Sequence, residues 1–446
     1  MTRARTPLIL GAMLLLSGCD SAPPPGVLGA YRFEDGSVIS IRPSVENTLR
    51  YRSFTDPTSS RLYPVSQWEY RVGSGFSDPE PSTAIVRFRV DGDGIARSLE
   101  WVPGGGNGMR ASRVGREKWV RFERDGTALV GRLHIPAGEG PHPAIVLVHG
   151  SGETPGSHWL YNGDFMVANG IAVLAYDKRG TGKSGGEITF DFHELARDAA
   201  AAVAFLRDRP EIRSDAVGLA GYSQGGWVAP LAASVTPVRF VLVSYGMLES
   251  PAQEARMEMG LLLDRGGVVG PDRTAADSLV AAAVAVVANE LESGWEDFQT
   301  LKDRYGNASW LRHLAGTPVD QLMRYPRWLV NLIGPRQLPK GLRWDYDSGE
   351  LLEALCVPMT WFLADADESA PNALTIPRLQ ALSASGFPIE VRVFPGADHG
   401  MLTFDGGREA RSYTGYAPGY HQAEVAAALG WIEADPESLQ CPPGGA

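Results

Sequence analysis

Four short, nearly continuous apolar runs constrain this chain more than any other feature: Ala144 to Val148, Ile171 to Ala175, Val217 to Ala220 and Phe240 to Val243. A strand that is buried on both faces has no polar side to show, so it reads as an unbroken apolar run and not as an alternation. Helical patterns separate the runs, most clearly over Phe192 to Arg207, whose Ala-rich interior favours helix. Strands of this kind alternating with helices predict an α/β fold with a mostly parallel sheet covered on both faces. A hairpin precedes them, with Trp119 to Glu123 and Ala128 to Ile135 joined by the Asp125-Gly126 turn. The strand pattern breaks off near residue 247 and resumes at Met359 to Leu363 and Glu390 to Phe394.

Residues 247–348 therefore read as an insertion. Amphipathic patterns predict helices over 252–264, 274–291 and 318–333, and Trp310, Trp328 and Trp344 add bulky apolar surface, as in a helical cap. Ahead of the sheet, about residues 28–116 show short alternating stretches such as Ser37 to Arg42 and Ala84 to Val90. Turns at Asp35-Gly36 and Asp91 to Gly94 punctuate them, which predicts a small antiparallel β module without recognisable chemistry. The expected organisation is a signal peptide (1–18), a tether (19–27), the β module (28–116), the sheet domain with its cap (117–436) and a tail (437–446).

In an open parallel sheet, reactive groups collect where strands end at their carboxyl edge. Gly221-Tyr222-Ser223-Gln224-Gly225 follows directly on the run that ends at Ala220. A serine on so tight a strand-to-helix turn is exposed by a strained backbone, and flanking glycines remove the side chains that would clash. Gly182-Lys-Ser184-Gly-Gly186 matches the same G-x-S-x-G pattern, but no strand abuts it, so Ser223 is the expected nucleophile. A serine hydroxyl needs a base, and the base needs an orienting carboxylate. Only His399 and His421, of eight histidines, come late enough for the chain order serine, acid, histidine. His399 lies in the loop after the last strand and is the expected base. The acid should close the strand Met359 to Leu363; Asp367, followed by Pro371, is preferred and Asp365 is the alternative. A third strand end, Val148-His149-Gly150-Ser151-Gly152, offers backbone amides for a developing oxyanion. The expected donors are the amides of Ser151 and Gln224, with Gly152 in reserve and His149 as a structural brace for the loop.

The segment Asp177-Lys-Arg-Gly-Thr-Gly-Lys-Ser184 looks at first like a phosphate loop, yet Asp177 stands where that loop needs its first glycine, and a carboxylate there would repel phosphate. Together, "HGSG", "DKRGTGKS", "GYSQGG", "ADADESAP" and "GADHG", in this order, resemble the α/β-hydrolase superfamily, particularly bacterial esterase-like and serine-aminopeptidase-like members with a helical cap. The resemblance covers about residues 119–436 and leaves the β module outside. It implies a serine hydrolase acting on a small-molecule ester or a short peptide through Ser223, Asp367 and His399, with the 177–184 loop shaping the wall of the site and binding no nucleotide. Ala364 departs from the family's usual glycine before the acid. A non-catalytic surface module is the competing class, and the apolar, aromatic cap favours an esterase over a peptidase.

The amino terminus reads as a processing signal. Arg3 and Arg5 precede the apolar run Leu8 to Leu16, which is too short to span a bilayer, and Leu16-Ser17-Gly18-Cys19 resembles the bacterial lipobox. Acylation of Cys19 would anchor the chain to a membrane in the cell envelope, facing the periplasm or the exterior; the alternative is an ordinary secretory signal. Cys356 and Cys441 then have the choice of a disulfide or two free thiols. A formal net charge of −11 argues against a sequence-blind grip on nucleic acid. No metal or cofactor is expected, since spacings such as H-E-x-x-H are absent.

Overall fold

The computed structural model describes residues 24–44, 48–56, 58–76, 81–406 and 411–435, within which two compact units form. Residues 247–348 and 368–371 make one unit, and the remaining described residues make the other. Cys19, Cys441, the tether before residue 24 and the tail after residue 435 lie outside the described residues.

The larger unit begins with eight strands: β1 (Gly29–Phe33), β2 (Val38–Pro43), β3 (Leu49–Ser53), β4 (Ser59–Ser66), β5 (Glu69–Gly73), β6 (Pro81–Val90), β7 (Ala96–Val102) and β8 (Met109–Arg113). Each pairs antiparallel with the next, and β8 returns to β1, with Arg113 opposite Tyr31, so the expected β module is a closed barrel. Closure leaves no strand edge open to pairing. Tyr31, Ile41, Leu49, Leu62, Val86 and Leu99 fill its core.

A second, eight-stranded sheet follows. The chain runs through β9 (Gly115–Arg124), β10 (Thr127–Pro136), β11 (His142–Val148), helix α1 (Tyr161–Ala168), β12 (Ala172–Tyr176), α2 (Phe192–Arg207), β13 (Ile212–Tyr222), α3 (Gly225–Val235) and β14 (Val241–Ser244). It then enters the smaller unit. That unit consists of α4 (Pro251–Arg265), α5 (Gly270–Ala288), α6 (Trp295–Tyr305), α7 (Pro318–Arg324) and α8 (Arg327–Ile333), around a core that includes Leu263, Leu279, Val286, Phe298 and Leu314. After α9 (Gly349–Ala354) come β15 (Met359–Ala364), α10 (Thr375–Ala384), β16 (Ile389–Phe394), the short strands β17 (Ala397–Asp398), β18 (Leu402–Asp405) and β19 (Ser412–Tyr416), and α11 (Tyr420–Glu433).

The sheet order is β16-β15-β14-β13-β11-β12-β10-β9. The pairings from β16 through β12 are parallel, whereas β10 runs antiparallel to both neighbours. Helices α2 and α3 pack together, as do α1 and α11. The expected sheet is thus present, with the hairpin as its antiparallel edge.

Two helices in the smaller unit differ from the sequence reading. The pattern over 318–333 is broken, because Pro326 has no N–H to donate and pushes Tyr325 to extended backbone (φ −102°, ψ 146°), so α7 and α8 are separate. Helix α5 starts earlier and stops at Ala288, because Glu290 and Leu291 take left-handed conformations. Helix α6 was not anticipated; only Trp295 and Phe298 of its eleven residues are buried, which leaves a weak apolar stripe. Among the described residues no helix is long and apolar enough to cross a membrane.

Candidate active site

Strand β13 ends at Tyr222 and α3 begins at Gly225, so the chain must reverse within two residues. Ser223 does this with φ +54°, a left-handed conformation that costs a non-glycine residue on the order of 1–3 kcal/mol. The flanking glycines are required by space: a Cβ on Gly221 would land on the carbonyl oxygen of Gly225, and one on Gly225 would land on that of Val148. The Ser223 N–H donates to the Ser244 carbonyl at 3.1 Å, tying the turn to β14. Its hydroxyl is thereby held 3.1 Å from Nε2 of His399.

His399 follows β17, where the buried Asp398 carboxylate holds the loop. It accepts the backbone N–H of His399 at 2.8 Å and the Tyr413 hydroxyl at 2.9 Å, and it pairs with Arg411. Nδ1 of His399 lies 2.9 Å from Oδ2 of Asp367, whose side chain is almost completely enclosed. A carboxylate only accepts, so Nδ1 carries the proton and Nε2 faces the serine with its lone pair. The ring of Tyr245 stands edge-on to the imidazole at 5.0 Å. Ser223, His399 and Asp367 are therefore brought together from the ends of β13, β17 and β15.

The alternatives lie elsewhere. Asp365 accepts the Gly396 N–H at 2.6 Å and braces the turn beside β16. His421 is buried on α11, edge-on to Phe54 at 4.9 Å. The Ser184 hydroxyl donates to the Asp177 carbonyl at 2.6 Å and accepts the Val130 N–H at 2.9 Å. The buried Asp177 carboxylate takes the N–H groups of Ser157 and Lys183, each at 2.9 Å. The 177–184 loop is thus folded around its own carboxylate, where a phosphate loop would present its N–H groups outward.

Above the serine lies the loop after β11. A Cβ on Gly150 would stand 3.2 Å from that of Ser223, so a larger residue here would press on the serine and have to displace it slightly. Gln224 opens α3, which places its backbone N–H at the positive end of an eleven-residue helix. Lys178, almost wholly buried, donates to the Gly150 carbonyl at 2.8 Å and reaches Oε1 of Gln224 at 3.4 Å. Across the trans peptide the Ser151 N–H points opposite to the Gly150 carbonyl, so the lysine fixes the direction of the expected oxyanion donor.

A sequence model of the alpha/beta hydrolase family matches residues 145–410, more than half of the 446-residue chain. The chain belongs to the alpha/beta hydrolase family. Over 110 residues it is 36% identical to Esterase EstD of Thermotoga maritima, which covers 23% of this chain and 26% of that protein. Over 133 residues it is 34% identical to Thiohydrolase aneE of Aspergillus aculeatus, covering 29% and 41% respectively. The chain thus spans less than half the length of either curated relative. The crystal structure of the 2,6-dihydroxy-pseudo-oxynicotine hydrolase shares 15% identity at a TM-score of 0.41, over 74% of this chain and 71% of that one.

Within this alpha/beta hydrolase, three participants in the site were not anticipated as such: Lys178, Asp398 and Tyr245. Burial pushes the Lys178 ammonium down to about 8, with Glu153 a weaker opposing influence. His149, expected as a brace, is buried, and desolvation followed by repulsion from Lys178 pushes it down to about 3, so it is neutral at pH 7. Its ring edge lies where a Cβ on Gly156 would fall, which fits a packing role. Cys356 is disulfide-bonded, which removes the alternative of a free thiol there; Cys441, the partner considered for it, lies outside the described residues.

Proposed function

We propose that this chain is a serine hydrolase that cleaves carboxylic esters through an acyl-enzyme. The continuous contact from the Ser223 hydroxyl through His399 to Asp367 carries this reading. Ser223 Oγ attacks the ester carbonyl while Nε2 of His399 takes the hydroxyl proton, and the Asp367 carboxylate stabilises the imidazolium that forms. The carbonyl oxygen becomes an anion that the amides of Ser151 and Gln224 receive. His399 returns the proton to the departing alcohol; water, deprotonated by the same imidazole, then releases the acid and restores the serine. The partial match to Esterase EstD supports the substrate class.

A fluorophosphonate probe is expected to label the native protein and not Ser223→Ala, and that substitution should lower kcat on short-chain aryl esters by about 10⁴-fold or more. Equal labelling of the two proteins would sink the proposal, and faster turnover of aminoacyl arylamides than of esters would replace the esterase by a peptidase. We further propose, from the Leu16 to Cys19 tetrapeptide, that the mature chain is acylated at Cys19 and held in the bacterial cell envelope. Metabolic labelling with palmitate should mark the native chain; label retained by Cys19→Ser would exclude that anchor.

A further inference from the structure

The smaller unit carries an apolar surface that its own core leaves outside. Four of the twelve large apolar side chains exposed among the described residues fall within nine consecutive positions: Tyr325, Trp328, Leu332 and Ile333. Trp328 is 67% exposed and Leu332 63%, and they lie four residues apart on α8, one turn along the same face. The opposite side of α8 supplies Val330, which packs against the core of the unit together with Leu338. The helix is therefore anchored by one side while it presents its larger apolar residues to solvent. None of its residues is fully buried.

Charge around this face departs from that of the whole chain. The formal net charge is −11, yet residues 321–344 contain Arg324, Arg327, Arg336, Lys340 and Arg343 and no aspartate or glutamate. All five are exposed. Arg324 pairs with Asp320 at 2.8 Å and Arg343 lies 3.7 Å from Asp345, both at the margins of the segment. Exposed pairs of this kind hold little energy, and the bordering acids Asp320, Asp345 and Asp347 number three against five cations. Arg327 sits over the ring of Trp295 at 5.3 Å, so its guanidinium is held against the buried tryptophan that opens α6.

We propose that the exposed face of α8, with its basic flanks, docks on an anionic lipid bilayer. Tryptophan and tyrosine settle at the level of the headgroups, where a ring meets the acyl boundary and its polar tip stays wet. Leucine and isoleucine beside them enter the acyl region, which is how an amphipathic helix lies in an interface. Arginines and lysines around such a face meet the headgroup phosphates, each raising affinity roughly fivefold close to an anionic surface. A second copy of the chain would cover the apolar residues equally well, but it would bring the same cations face to face. The excess of exposed cations in this segment therefore selects a negatively charged occupant.

The test uses the full chain carrying Cys19→Ser, which removes the thiol expected to be acylated, mixed with vesicles of phosphatidylcholine alone or with about one-third phosphatidylglycerol. Co-sedimentation with the anionic vesicles should exceed that with the neutral ones, fall at 0.5 M salt, and drop about tenfold or more in Trp328→Ser/Leu332→Ser and in Arg336→Glu/Arg343→Glu. Circular dichroism melts of each variant report that the fold is kept. An environment-sensitive dye on Ile333→Cys localises the contact. Its emission should shift to the blue with anionic vesicles and stay put with neutral ones. No shift, equal sedimentation of the variants, or a blue shift that grows with protein concentration in the absence of lipid would overturn the proposal, the last by showing self-association.

Discussion

Lys178 shows how one buried residue ties stability to chemistry. Lysine in water titrates near 10.4; burial brings Lys178 to about 8, so in the folded chain it holds its proton less tightly. Between about pH 8 and 10.4 the unfolded chain binds the proton and the folded one does not, so stability rises with pH across that window. At pH 7 the ammonium is charged in both states and its burial costs on the order of 3 kcal/mol. What the fold retains for that cost is the bond from Nζ to the Gly150 carbonyl, which aims the Ser151 N–H. Lys178→Met is accordingly expected to melt at pH 7 no lower than the native chain, while kcat on a soluble ester falls about tenfold to a hundredfold with KM nearly unchanged. A parallel loss of Tm and kcat would mean that the lysine serves only the fold. Above pH 8 the native kcat should decline and that of Lys178→Met should not. Nothing in the sequence singles this residue out, because its role depends on which carbonyl it reaches, a contact between positions 28 apart.

At the level of elements, the site is a set of strand ends, and how well each was legible follows from how local its determinants are. The turn around Ser223 could be read because the apolar run, the serine and both glycines are contiguous, and the clashes that the glycines avoid involve the same turn and the adjacent β11. The small sheet β17-β18-β19 could not be read, since β17 is two residues long and pairs only through its neighbour. Yet it is this sheet that brings Tyr413 and Arg411 to Asp398, and Asp398 in turn holds the backbone N–H of His399. Helix α6 and the break at Pro326 were missed for a different reason: burial in a small helical unit tolerates a sparse apolar pattern, and a periodic pattern that runs across a proline reads as one helix. The element-scale prediction concerns the histidine loop. Asp398→Asn keeps an acceptor but loses the ion pair with Arg411, and it should lower kcat severalfold; Asp398→Ala also frees the His399 N–H and should lower kcat about tenfold further, with KM little changed. Equal kcat values for Asp398→Ala and the native chain would remove the loop anchor from the account.

For the whole molecule, the barrel was legible only as alternating fragments, because closure depends on β8 finding β1 across 80 residues of chain, and its attachment to the sheet joins polar and apolar residues far apart in sequence. Arg42 of β2 donates to Asp164 of α1 at 2.9 Å and to Glu117 of β9 at 2.9 Å, and His134 of β10 lies 3.2 Å from Asp164. Arg42, Asp164 and His134 are all but sealed from water. Glu117, His134 and Asp164 would suit a cation in type and spacing, and the Arg42 guanidinium sits among them as the positive charge. Nearby, Phe54 of the barrel region stacks on Phe165 of α1 at 5.1 Å and Arg52 covers the ring of Tyr161, so the junction is apolar around an ionic centre. Burial is the strongest single influence and would raise the Asp164 carboxyl; the Arg42 guanidinium and His134 together outweigh it and hold the group well below the usual carboxylate range. A carboxylate depressed in the folded state adds stability above its unfolded value near 4 and loses it as pH falls further, so the junction should weaken progressively below about pH 4. Arg42→Met takes the guanidinium from the buried Asp164 carboxylate, while Glu117 keeps Arg132 at 3.3 Å, and is expected to cost about 3–5 kcal/mol; Arg42→Met/Asp164→Leu should recover part of that loss by removing the uncompensated carboxylate. Because the barrel and the sheet share this centre, calorimetry of the native chain should show them unfolding together, and Arg42→Met should lower that shared transition. A barrel that melts apart from the sheet in the native chain would show that the ionic centre does not couple them.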